Sequence, residues 1–133
     1  MVDVSFVNPK TVHPVEGYSH VVSVEGSAKT LYISGQVSKN LKGEVVGIDD
    51  VEAQTRQIYE NLNAILSSMG ATFDDVVKQN IYTTRPDEIQ TIRRVRTEIL
   101  GKDHPPASTL VAVAALVDPR WLVEIEMVAT LKT

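Results

Sequence analysis

Cysteine is absent from the 133 residues of the chain. Its absence excludes disulfide bonds, thiolate nucleophiles and cysteine-ligated metal sites. No segment approaches the roughly 20 apolar residues that a membrane-spanning helix needs, so no membrane association is expected. The first ten residues, MVDVSFVNPK, include an acidic residue and lack the apolar stretch of a secretory signal, which predicts a soluble protein in the cytoplasm.

Positive charge is also in short supply. The chain has 13 lysines and arginines against 17 acidic residues, which argues against nucleic-acid binding because phosphates attract a cationic surface. The three histidines, His13, His20 and His104, lack the spacing of paired metal ligands, so no metal site is predicted. The proportions of hydrophobic residues (43%) and charged residues (23%) are typical of a folded domain, here one domain spanning residues 1–133.

Apolar residues recur every three or four positions from about residue 50 to 69, which predicts an amphipathic helix. Asp49 is the expected N-cap, and Glu52 three residues later would complete a capping box. Gly70 is expected to end the helix, because glycine adopts the left-handed conformation without strain. This is the clearest element in the sequence.

A second helix is predicted to open at Pro86 and to end at Gly101. Its expected buried stripe consists of Ile89, Ile92, Val95 and Ile99. Three arginines lie off this stripe: Arg93, Arg94 and Arg96. Such a cluster is expected to face solvent and to pair with nearby acids, although it could instead contact an anion at a subunit boundary.

The remaining apolar runs predict strands at residues 20–24, 29–34, 76–83, 109–116 and 121–131. Short turns would join the first two as one hairpin and the last two as another. Both faces of residues 109–116 are apolar or nearly so, which is typical of a strand covered on both sides. Two helices can cover only one face of the sheet, so the other face is expected to be buried against further copies of the chain.

Glu124 and Glu126 lie two residues apart in the last predicted strand and so point to the same face. A solvated strand face is the commoner situation for glutamate. Because the neighbouring strand offers no matching polar face, one of the two could instead lie at a subunit boundary as an acid/base group.

Three stretches form a pattern in their order and spacing. They are Gly17-Tyr18-Ser19-His20, Leu31-Tyr32-Ile33-Ser34-Gly35-Gln36, and Pro106-Ala107-Ser108-Thr109 followed by Val123-Glu124-Ile125-Glu126. With the two helices between them, they resemble the RidA/YjgF family, formerly labelled endoribonuclease L-PSP. The resemblance implies a chorismate-mutase-like α+β fold: a six-stranded sheet with two helices on one face, in a homotrimer around a central barrel. It also implies small-molecule sites between subunits.

The resemblance further implies an activity and the residues for it. Deaminases of this family hydrolyse reactive enamines and imines to a carbonyl compound and ammonia without a cofactor. On this basis Glu124 is the expected residue for water activation, Tyr18 lines the pocket, and Gly35 lies in the loop whose backbone faces the ligand. Ser108 occupies the position where active deaminases carry a carboxylate-binding arginine. Arg93 is the nearest candidate replacement.

The serine leaves three interpretations open. A different arginine enters the pocket, the substrate lacks a carboxylate, or the protein binds without catalysis. The first two describe an enamine/imine deaminase, and the third describes a non-catalytic module that binds a small metabolite. RNA cleavage is suggested only by the old family label, and the negative net charge and the missing histidine pair argue against it.

Overall fold

The computed structural model describes residues 2–132. Its strands are β1 (Val2–Val7), β2 (Val21–Gly26), β3 (Ala28–Gln36), β4 (Val76–Thr83), β5 (Ala107–Ala112) and β6 (Val123–Lys132). Its helices are α1 (Val51–Ser68) and α2 (Ile89–Leu100), and short 3₁₀ turns precede β4 and α2. No helix within residues 2–132 is long and apolar enough to cross a membrane.

The main sheet has four strands in the order β3-β6-β4-β5, with β4 and β5 parallel and the other pairs antiparallel. Both helices pack on one face of this sheet, so the predicted α+β fold with two helices on one face is confirmed. The core is a contiguous cluster in which α1 contributes Ile58, Leu62 and Leu66, α2 contributes Ile92 and Val95, and the strands contribute Ile81, Ile125 and Met127.

The five predicted strands are all present, β1 is a further strand that the sequence analysis did not predict, and the six strands form two sheets. β1 and β2 pair antiparallel as a separate two-stranded sheet. Only Ser27 separates β2 from β3, and the two strands are not hydrogen-bonded neighbours. Gly26, with a φ of 100°, turns the chain at this point, so β2 pairs with β1 and the predicted hairpin between β2 and β3 does not form.

The predicted C-terminal hairpin is also wrong. β4 lies between β5 and β6 and pairs with both of them. The connection between these strands is held at the end of β4, where Val113 N donates to Thr83 O and Thr84 N donates to Leu122 O. Alternation along a strand identifies its two faces but does not identify its neighbours, which is why the sequence did not reveal this order.

The ends of α1 differ in how well they were predicted. Asp50, not Asp49, is the N-cap, and its Oδ1 accepts a hydrogen bond from Ala53 N at 3.0 Å. With Asp50 as the N-cap, Ala53 occupies the N3 position, so Glu52 forms no capping box, and its carboxylate pairs with Arg56 on α1 and Arg94 on α2. The predicted stop is confirmed, since Gly70 follows the helix with a φ of 76°.

Candidate functional site

Alternation along β4 and β6 divides the main sheet into two faces. Val123, Ile125 and Met127 point toward the helices and are buried, on what we call the covered face. Glu124 and Glu126 point to the opposite side, the open face. The same division holds in β5, whose register sets Ser108 beside the buried Gln79 on the covered face.

Glu124 packs directly against Gly35. A β-bulge between Ile33 and Gln36 interrupts the pairing of β3 with β6 and brings the backbone of Gly35 over β6. A Cβ atom at Gly35 would collide with the carboxylate of Glu124. A side chain at this position would therefore displace the Glu124 carboxylate, whereas glycine lets the backbone approach it closely.

The two glutamates of the open face have different surroundings. Glu126 Oε1 accepts hydrogen bonds from the Tyr82 hydroxyl at 2.7 Å and from Asn80 Nδ2 at 3.1 Å. These hydrogen bonds, with that from Tyr82 the largest cause, hold the pKa of Glu126 below its usual value. Within residues 2–132, no group donates a hydrogen bond to Glu124. Of the two glutamate carboxylates on the open face, that of Glu124 is therefore the one available to accept a proton or a hydrogen bond.

A second group of polar residues surrounds a cleft of about 470 Å³ between α2, β5 and the segment before β2. We call it the α2–β5 cleft, and its polar lining consists of Glu16, Tyr18, Arg93, Arg96, Ser108 and Thr109. Ser19 fixes the Tyr18 segment beside β5, because its hydroxyl donates to Pro105 O at 2.6 Å and its backbone N donates to Pro106 O at 3.2 Å.

The three arginines of α2 differ in exposure and in the groups that they contact. Arg94 is exposed and pairs with Glu52 and Glu98, as expected for a solvated cluster. Arg93 is also exposed, at the rim of the cleft. Arg96 contradicts the expectation, because only 6% of it is exposed. It lies four residues after Ile92 and directly after Val95, so the helical turn carries it toward the sheet.

The structure brings the predicted site residues together in two groups. Tyr18, Arg93 and Ser108 line the α2–β5 cleft, whereas Glu124 and Gly35 are in contact on the open face. Since the sheet separates the covered face from the open face, a single chain does not place Glu124 beside Ser108. A site that contains both residues needs two copies of the chain.

Sequence reasoning missed two residues next to the candidate site. The arginine cluster was expected to face solvent or to contact an anion at a subunit boundary, and the burial of Arg96 was missed although its i+4 spacing from Ile92 was a signal of it. Tyr82 gave no signal, because only the pairing of β4 with β6 sets it opposite Glu124. In the described part of the chain, no group of three or more His, Asp or Glu side chains is arranged to hold a metal ion.

Comparison with known proteins connects this geometry to a family. The family model described as Endoribonuclease L-PSP matches residues 9–131. A solved structure of YyfB from Yersinia pestis, a member of the Rid protein family, superposes with a TM-score of 0.87 at 38% identity. That match covers 96% of this chain and 98% of the other.

Two curated relatives span nearly the same length. A RutC family protein from Pyrococcus horikoshii is 34% identical over 118 residues, which are 87% of this chain and 88% of the relative. A 2-iminobutanoate/2-iminopropanoate deaminase from Dermatophagoides farinae is 30% identical over 124 residues, which are 93% of each chain. The agreement covers the strands and helices that carry both groups of candidate residues.

Proposed function

The chain belongs to the endoribonuclease L-PSP family, which includes the Rid proteins, and on this basis we propose that it hydrolyses reactive enamine or imine metabolites. The products would be a carbonyl compound and ammonia. The observation that carries this proposal is the carboxylate of Glu124, which rests against Gly35 and accepts no hydrogen bond within residues 2–132. The identity shared with a 2-iminobutanoate/2-iminopropanoate deaminase supports the same reaction class.

The proposed reaction needs a positioned water and a group that exchanges protons. An enamine first takes a proton on carbon and becomes the imine. Water then adds to the imine carbon, and Glu124 accepts a proton from the water as the C–O bond forms. Glu124 then passes this proton to the nitrogen, the proton of the new hydroxyl group follows it, and the C–N bond breaks as the carbonyl forms and ammonia leaves. No electrons are exchanged with an outside partner, so the reaction requires no redox cofactor.

The proposed site lies between copies of the chain. The α2–β5 cleft holds Tyr18, Arg93 and Ser108, while Glu124 is on the opposite face of the sheet. A homotrimer in which the open face of one copy approaches the cleft of the next would complete three such sites. Exposed apolar residues on the open face support an assembly, since Tyr32 is 82% exposed and Val111 is 39% exposed in one chain.

A second candidate function is a non-catalytic module that binds a small metabolite. Ser108, the residue that stands where the family resemblance implies a carboxylate-binding arginine, favours this alternative. A neutral hydroxyl binds a carboxylate more weakly than a guanidinium does, by about 1–2 kcal/mol. The two candidates differ in one observable, which is turnover.

The discriminating experiment measures ammonia release from freshly generated 2-aminoacrylate. We expect the purified protein to accelerate release above the spontaneous rate in proportion to its concentration, and the oligomer to have the mass of three chains by light scattering. Binding of the 2-oxo acid product without any acceleration would establish the binding module instead. A monomer by light scattering that is fully active would contradict the proposed site between copies.

A further inference from the structure

Arg96 is a buried cation that has no acidic counter-charge within residues 2–132 of its own chain. Only 6% of the residue is exposed, and its Nε atom has no hydrogen-bond partner among these residues. Its guanidinium lies against the backbone of the segment before β2, where a Cβ atom at Gly17 would be 2.9 Å from Arg96 Nη2. The charged and titratable groups that act on it are Tyr59, Arg93 and Tyr18, none of which is a carboxylate.

Burial makes this arrangement unfavourable unless an anion joins it. Removing a guanidinium from water costs several kcal/mol when no opposite charge compensates, and burial accordingly lowers the pKa of Arg96 below the usual arginine value. Glu16 is the acidic residue in the cleft lining. Its side chain is 84% exposed and pairs with Lys102 at 3.4 Å, so it does not neutralise Arg96.

Ser108 provides a second unpartnered group in the same cleft. Its hydroxyl oxygen is buried and forms no hydrogen bond with any residue that the structure describes. Its strand neighbour Gln79 does not satisfy it, since Gln79 Oε1 accepts from the Tyr59 hydroxyl at 3.0 Å and Gln79 Nε2 likewise has no partner in the described part of the chain. Buried polar groups in proteins are nearly always hydrogen-bonded, and the Ser108 hydroxyl and the Arg96 guanidinium are two groups around one cleft that a ligand would satisfy.

We propose that Arg96 and Ser108 form a carboxylate-binding site in the α2–β5 cleft, with Arg93 as a second cation at its rim. A planar guanidinium matches the two oxygens of a carboxylate, and a hydroxyl can donate to one of them. Arg96 of α2 thereby supplies the cation for which β5, with Ser108 in place of an arginine, has no side chain. An anionic ligand suits this lining, because its two guanidiniums are not neutralised by its acidic side chain, Glu16, which is paired with Lys102. The choice of a 2-oxo or 2-imino acid as the ligand rests on the proposed function, whereas the anion site does not.

The test is calorimetric titration with pyruvate, a stable 2-oxo acid, and with pyruvamide, its uncharged amide. The wild-type protein should bind pyruvate and bind pyruvamide much more weakly. Arg96→Met should weaken pyruvate binding by about tenfold or more, the loss expected for one charge-assisted contact. Arg94→Gln is the matched control on the same helix, outside the cleft, and should retain wild-type affinity.

Thermal unfolding separates a binding role from a structural one. Replacing an unpaired buried charge with an apolar side chain of similar length is often neutral or stabilising, so Arg96→Met should melt no lower than wild type without ligand. Pyruvate should raise the melting temperature of wild type and not of Arg96→Met. A folded Arg96→Met protein with wild-type affinity for pyruvate would overturn the proposal, as would equal binding of pyruvate and pyruvamide.

A second variant decides the matter if Arg96→Met does not fold. Ser108→Asp places a tethered carboxylate in the cleft beside Arg96 and should abolish pyruvate binding, while Ser23→Asp on the exposed surface of β2 should not. Retained binding in Ser108→Asp would refute the site. These outcomes are independent of turnover: binding through Arg96 without ammonia release contradicts only the deaminase, and ammonia release that is insensitive to Arg96 contradicts only the carboxylate site.

Discussion

The covered and open faces of the main sheet differ in how their polar groups are satisfied. On the open face, Glu126 accepts hydrogen bonds from Tyr82 and Asn80. On the covered side, the Ser108 hydroxyl and Arg96 Nε are buried and have no hydrogen-bond partner within residues 2–132. Polar groups that their neighbours satisfy contribute to folding, whereas buried groups without partners cost stability and are available to a ligand.

A smaller difference of the same kind exists within the open face. Glu124 and Glu126 are two residues apart on one strand and point the same way. Glu126 is held by two hydrogen bonds, and Glu124 has contact with Gly35 and no donor within residues 2–132. The comparison assigns a structural role to Glu126 and makes Glu124 the candidate acid/base group.

The largest expected effect tests the covered face as the source of stability. Ile125 is completely buried in the core cluster, and Ile125→Ala should lower the free energy of unfolding by about 2–5 kcal/mol because it leaves a cavity. Urea unfolding followed by circular dichroism measures this loss. Tyr32 on the open face is 82% exposed in one chain, so Tyr32→Ala should act through assembly only, with an effect that varies with protein concentration. Equal, concentration-independent losses in both variants would remove the distinction between the faces.

The next effect tests the difference between the two glutamates. Glu124→Gln removes the proposed proton acceptor and should reduce the rate of ammonia release by roughly 100-fold, the lower end for loss of acid/base catalysis. Glu126→Gln is the matched control two residues away and should stay within about tenfold of wild type. Steady-state kinetics on the same imine substrate measures both. A larger loss in Glu126→Gln would reverse the assignment of roles.

Mixing two inactive variants then tests whether the site spans two copies. Subunits of Glu124→Gln keep an intact cleft, and subunits of Ser108→Asp keep an intact open face. If each site joins the cleft of one copy to Glu124 of the next, co-refolded equal mixtures should regain about a quarter of wild-type activity. Activity that stays at the level of the separate variants would show that each site lies within one chain.

The smallest effect concerns the hydrogen bonds of Glu126. Because its pKa is lowered in the folded state, with Tyr82 as the largest cause, the stabilisation is present above the usual glutamate pKa and is lost as pH falls through the lowered value. Tyr82→Phe should therefore flatten the decline of stability on acidification, by less than about 1 kcal/mol since the carboxylate is partly exposed. Chemical denaturation below pH 5 measures the slope, with Tyr32→Phe as the control. An unchanged slope in Tyr82→Phe would contradict the role of this hydrogen bond.

Much of the fold was predictable from local pattern. The extent of α1 and its end at Gly70 follow from helical spacing and from the freedom of glycine at positive φ. Alternation along a strand also predicts that Glu124 and Glu126 lie on one face of the sheet and Ile125 on the other. Even so, the N-cap was predicted one residue too early, because Asp49 and Asp50 offer the same side chain and only the backbone conformation distinguishes them.

The candidate site was less predictable, because its parts come from distant segments. Tyr18 and Ser108 were singled out through a family resemblance, and the contact of their segments rests on the hydrogen bonds of Ser19 to Pro105 and Pro106. The burial of Arg96 had a periodic signal that its charge obscured, since charged residues are seldom buried. The opposite placement of Ser108 and Glu124 depended on strand order, which no local pattern encodes.

The sequence by itself determined the two helices, five of the six strands, the core-facing residues other than Arg96, and the glycine that ends α1. These properties are local, because they arise from backbone geometry and from the period of the apolar residues. Only the tertiary structure decided that β4 lies between β5 and β6, that Glu124 rests on Gly35, and that Arg96 enters the cleft beside Ser108. Those decisions depend on long-range pairing and packing, in which many segments compete for the same neighbours and the lowest total free energy selects one arrangement.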